Sequence, residues 1–123
     1  MGESWVVAPE IVRLPLSDGH YLDVQKELNA GQYLEMLSAM ADRKPFAKAV
    51  AYLVGWSICG VDGQPLAYDF DDPEEVRRST LKSLKVPRMR EITVALDRHE
   101  AAEQAALEAK KKTPSLELAS SQP

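Results

Sequence analysis

Five carboxylates crowd residues 69–75 of this chain: Asp69, Asp71, Asp72, Glu74 and Glu75. Such a cluster is the raw material of a calcium site, which surrounds a hard cation with oxygen ligands. A calcium loop of the helix-loop-helix type also needs a glycine at its sixth position. Here Pro73 and Glu74 follow the acidic triplet, and that glycine is missing. Helix capping accounts for the same residues, with Asp72 as N-cap, Pro73 in the first helical position and Glu75 completing a capping box. No metal site and no cofactor are expected.

The other reactive types are scattered. His20 and His99 are the only histidines and form no short-spaced ligand pair. His20 adjoins a turn, and His99 stands between Arg98 and Glu100, which favours a surface, salt-linked role. Cys59 is the single cysteine, so no intrachain disulfide can form, and its apolar setting reads as that of a small hydrophobe. No serine sits in a Gly-x-Ser-x-Gly elbow, and Gly60-Val61-Asp62-Gly63 reads as a turn and not a phosphate cradle. These residues do not suggest an enzyme.

Behind them lies a chain of ordinary globular make-up, with 45% hydrophobic and 28% charged residues among 123. That length suits one domain able to bury a core without disulfides or metal. The formal charge is −4, from 19 acidic and 15 basic side chains in mixed order. No basic patch stands out, so nucleic acid is not an expected partner. The polar, acidic start differs from a signal peptide, and the apolar run near residue 50 is too short to span a bilayer. The expectation is a soluble protein that does not engage a membrane.

Hydrophobic patterning then supplies the elements. Val12, Leu14 and Leu16 alternate along one strand, Ser17-Asp18-Gly19 forms a turn, and Leu22 and Val24 return on the same face. Pro15 cannot donate a ladder hydrogen bond, which places the first strand at an edge. Asn29 and Gln32 form a capping box for a helix whose apolar face is Tyr33, Leu34, Leu37, Met40 and Ala41. Residues 46–59 fit two periods: bulky side chains alternate from Val50 to Ile58, yet the alanines at 47, 49 and 51 favour helix. A helix over about 46–57 is preferred, with the strand kept open. Val76, Thr80, Leu81 and Leu84 line a following helix, and Met89, Ile92, Leu96 and His99 line the last.

The expected architecture is therefore α+β, a small single domain with an N-terminal β-hairpin packed against three to four short helices. Residues 1–9 form an arm, 10–108 the domain, and 109–123 a flexible, disordered polar tail. Trp56 is expected in the core. Trp5, Tyr33, Met36, Met40 and Met89 are the candidate partner-binding residues, because large aromatics anchor interfaces and methionines adapt to varied surfaces.

In order, these landmarks resemble the tail assembly chaperones of long-tailed (siphovirus-type) bacteriophages. The matching features are Leu16-Ser17-Asp18-Gly19, the run from Val24 through Gly31 and the amphipathic helix after it. Trp56-Ser57, Asp62-Gly63-Gln64-Pro65-Leu66, Arg90-Glu91-Ile92 and Asp97-Arg98-His99 follow, so the likeness spans about 10–105. The resemblance implies a non-enzymatic protein of the host cell cytoplasm that binds the tape-measure protein during tail assembly and does not enter the virion. It also implies a longer product made by ribosomal frameshifting. Lys110-Lys111-Lys112 requires an A-rich codon run that could serve as the slippery site, although a solvated helix end is the favoured reading of these lysines. A structural virion component, such as a tail or connector subunit, is the competing expectation. Self-association is left open.

Overall fold

The computed structural model describes residues 4–120, with side chains described for 4–109. Its strands are β1 (Ile11–Pro15), β2 (Tyr21–Gln25) and β3 (Leu53–Trp56), and its helices α1 (Ala30–Ala41), α2 (Ala47–Tyr52), α3 (Glu74–Lys82) and α4 (Val86–Ser120). The result is a three-stranded antiparallel sheet in the order β1-β2-β3, covered by helices: a small α+β domain. Of the tail expected over 109–123, the backbone to Ser120 continues α4, while the side chains from 110 onward and residues 121–123 lie outside the described residues.

The hairpin follows its pattern. Val12 pairs with Val24 and Leu14 with Leu22, so the alternating apolar side chains share the covered face. Leu22 and Val24 lose all solvent contact there. Asp18 and Gly19 take positive φ at the turn, a conformation glycine adopts without a steric cost. Arg88 of α4 donates to Ser17 Oγ and Asp18 Oδ2, while Glu91 accepts from the Ser17 amide and hydroxyl, tying this turn to the long helix.

Residues 46–57 are neither one helix nor one strand. The alanine-rich half forms α2, and at Leu53 the backbone turns extended (φ −74, ψ 124). The remainder joins β2 as β3, with Val24 opposite Leu53 and Leu22 opposite Trp56 across an irregularity at Asp23/Val24. The free edge of β2 would otherwise hold unpaired amides and carbonyls beneath the helices, and β3 satisfies them. Helix and strand therefore each take part of the run, although the expected alternation is not seen in β3, where Leu53 is buried and Val54, Gly55 and Trp56 are partly exposed. Trp56 is half-buried, donating from Nε1 to the Leu66 carbonyl and packing against Tyr68 with ring centroids 5.0 Å apart.

The capping box on α1 is present, with Asn29 Oδ1 accepting from the Gln32 amide and Gln32 Oε1 from the Asn29 amide. The helix closes with paired bonds from Lys44 N to Ala39 O and Arg43 N to Met40 O, with Arg43 at positive φ. This is the Schellman pattern, using arginine where glycine is commoner.

Asp72 does not cap α3. Pro73 is the N-cap, its carbonyl accepting from Arg77 N, and no side chain caps the helix. Proline has no side-chain acceptor, so Glu74 and Glu75 complement the helix start through their charge instead. They pair with Arg78, which is 2% exposed and also donates to the Pro45 carbonyl. The expected stripe on α3 is only partly right: Leu81 is buried, while Val76 is exposed.

Candidate binding surface

The principal correction concerns which side of α1 faces inward. The packed stripe is Gln32, Met36 and Ala39, and of these Met36 (5% exposed) and Ala39 enter the core with Ala47, Ala49 and Val50. Small side chains at 39 and 47 leave room for α1 and α2 to approach. Gln32 donates to Gln25 Oε1, and Gln25 in turn donates to the Ala51 carbonyl, extending the seam in polar form. The richer apolar face is left outside: Tyr33 is 49% exposed, Leu34 63%, Leu37 40% and Met40 53%. A helix fastened by its opposite side thus presents four large apolar groups to solvent.

Tyr33, Leu37 and Met40 form one wall of a groove of about 810 Å³, whose other wall is α4 from Asp97 to Leu107. Tyr52 and Lys48 lie at its floor. Lys48 bridges Asp97 (2.7 Å) and Glu100 (2.9 Å). Burial opposes the charge on this lysine, but the two carboxylates outweigh it and hold its pKa above the ordinary value. The Tyr52 phenol is pushed up to about 12, chiefly by burial and then by Glu100. The groove thus sets an apolar wall beside a lysine pinned between two carboxylates.

Of the expected partner-binding residues, Tyr33 and Met40 line this groove. Met89, half-buried, lines its continuation together with Met40. Met36 is a core residue, 5% exposed and packed toward α2, that contributes to the inner lining of the groove. Trp5 is 99% exposed in the N-terminal arm and lines none of the grooves described. The exposure of Leu34 and Leu37 was missed because the helical period assigned them to the core. Leu107 was missed because it lies in a stretch dominated by Ala, Glu and Gln.

The residues with reactive chemistry have structural surroundings. His99 is buried, not salt-linked at the surface: its Nε2 lies 3.2 Å from Gln25 O and 2.9 Å from Lys26 O, and so donates to these carbonyls. Its ring meets Tyr52 edge-on, with centroids 5.8 Å apart. His20 is half-buried, with Nδ1 3.2 Å from Ser57 Oγ, and does not simply face solvent. Cys59 is exposed, contrary to its apolar neighbourhood, because the chain turns there into the Gly60–Gly63 loop. Asp69 and Asp62 accept from nearby backbone amides. Among the described residues no three His, Cys, Asp or Glu side chains converge on one point, and no helix is long and apolar enough to cross a membrane.

Comparison with protein-family models, curated proteins and solved structures finds no match to this chain.

Proposed function

We propose that this chain is a non-enzymatic phage tail assembly chaperone that shields the tape-measure protein during tail morphogenesis. The observation that carries the reading is the outward apolar face of α1. Tyr33, Leu34, Leu37 and Met40 are held in place by a helix whose other side is anchored in the core. Four large apolar groups on one short helix form the type of contiguous patch that marks a contact surface. A tape-measure protein is a long helical chain that must stay unaggregated until the tail tube surrounds it, and an exposed apolar helix face can cover such a chain reversibly. The order of landmarks from the Leu16-Ser17-Asp18-Gly19 turn to Asp97-Arg98-His99 supplies the phage context.

Deleting the gene from a phage that carries it is the test. The expected result is intact heads without tails of defined length, and normal tails would overturn the reading. Mass spectrometry of purified particles separates the competing role, since a structural subunit is recovered in stoichiometric amount and an assembly chaperone is not.

A further inference from the structure

The groove beside α1 does not end at Met40. It shares Met40, Lys48 and Asp97 with a second groove of about 460 Å³, and that one shares Phe46, Met89 and Thr93 with a third of about 540 Å³. All three follow one stripe of α4: Val86, Arg90, Thr93, Asp97, Gln104 and Leu107 recur at three- and four-residue and whole-turn spacing. From Val86 to Leu107 this trough is about 32 Å long at the helical rise. Among the described residues, six of the twelve exposed large apolar side chains line it: Tyr33, Leu37, Met40, Val86, Val94 and Leu107.

Its two ends differ in charge. Around the α1 end stand Glu27, Asp97, Glu100 and Glu103 against Lys26 and Lys48, and both lysines are already engaged by carboxylates. Beyond Met40 the signs reverse. Arg43 and Lys44 border the middle, and Lys82 and Arg90 border the far groove, which has no acidic lining residue. Among the described residues, none of these four cations takes part in a salt bridge.

The walls are helices and the turns that join them, and among the described residues no strand residue lines them. An extended segment laid in the trough would find no strand edge and would leave its own amides and carbonyls unpaired, whereas a helix satisfies them internally. We infer that the trough is the seat of one amphipathic helix of about 20 residues, basic at the end over Glu27 and Glu103 and acidic at the end over Lys82 and Arg90. The inference rests on the reading that this chain shields a helical partner, and specifies where that partner lies and what its sequence must contain. Apolar side chains on its inner face, spaced three and four residues apart, meet Tyr33, Leu37, Met40 and Met89. The opposed charges set its direction, since the reverse orientation brings like charges together at both ends.

The test uses the isotope-labelled full chain and a synthetic peptide of this design, with an apolar stripe, lysines at one end and glutamates at the other. NMR titration is expected to show saturable binding, with shifts concentrated at Tyr33, Leu37, Met40, Phe46, Met89 and Val94. The double variant Glu27→Lys, Glu103→Lys, at exposed or half-buried positions, is expected to weaken binding about tenfold at low salt, with a smaller loss at high salt. Replacing the peptide's glutamates by lysines is expected to weaken it similarly, and Lys82→Glu with Arg90→Glu in the chain to restore that peptide's affinity. Absence of saturable binding to the folded chain, shifts outside the trough, or indifference to both charge reversals would overturn the inference. So would a peptide-free dimer, seen by analytical ultracentrifugation, that occupies the same residues. If the chain captures a partner in cells while the trough residues stay silent, this seat is wrong and the chaperone reading stands. If the trough binds the peptide yet gene deletion leaves tails normal, the reverse holds.

Discussion

Met36 and Leu37 are neighbours on α1, yet truncating them should have very different costs. Each loses three heavy atoms beyond Cβ on substitution by alanine. Met36 is 5% exposed and packed into the seam with α2. At about 0.8 kcal/mol per buried group its lost transfer energy is about 2.4 kcal/mol, and the cavity left behind brings Met36→Ala to about 3 kcal/mol. Leu37 is 40% exposed, so roughly three-fifths of the same transfer energy, about 1.4 kcal/mol, is at stake. Water fills the space, and alanine is the slightly better helix former, which lowers Leu37→Ala to about 1 kcal/mol. Urea unfolding followed by circular dichroism reads the difference of about 2 kcal/mol, a separation in midpoints of about 1 M for a chain of this size. Equal costs, or a larger cost at Leu37, would put the helix in the orientation that its apolar period suggests and refute the exposed face.

Other consequences follow from the polar anchors. Arg78→Met keeps the buried stem but leaves the Pro45 carbonyl without its donor, so a loss of about 2 kcal/mol is expected in the same unfolding assay. Tyr52 has a folded-state pKa raised from 10.0 to about 12, so the stability it contributes is complete below pH 10 and is lost as pH rises through about 12. That corresponds to roughly 3 kcal/mol. Tyr52→Phe should flatten the alkaline limb of a stability profile by that order. Glu91 has its pKa lowered by the Ser17 hydroxyl and amide and then by Arg88. Its contribution is complete above the ordinary 4.5 and is lost as pH falls through the lower folded value. Glu91→Gln should therefore shrink the acid limb and leave stability near pH 7 reduced by a nearly constant amount.

The hairpin, the cap of α1 and the core stripe of α4 were legible because each is encoded locally. Alternation set Val12, Leu14, Leu22 and Val24 on one face, Asn29 and Gln32 bonded across one turn, and Ile92, Leu96 and His99 recur at helical spacing. The orientation of α1 was not legible. It has apolar groups on both sides, and the winning side was chosen by small residues on α2 and by Gln25, more distant in sequence. The change from α2 to β3 has the same cause, since the demand for a strand beside β2 comes from the hairpin and not from residues 46–57. His99 looked exposed between Arg98 and Glu100, but only the fold brings the Gln25 and Lys26 carbonyls to its ring. The binding groove was half legible: Tyr33, Met40 and Met89 were expected contacts, whereas Leu37 had been assigned inward and the wall from α4 was unforeseen.

The central claim is that the exposed side of α1 holds a helical partner. Co-expression of the full chain with the proposed partner, a phage tape-measure protein, followed by pull-down, tests this when run against Leu37→Asp with Met40→Asp. Both positions are solvent-facing, so thermal melts should confirm that the variant folds. The account predicts that the unaltered chain recovers soluble partner and that the folded variant does not. Equal recovery by both chains, or no recovery by the folded unaltered chain, would contradict it.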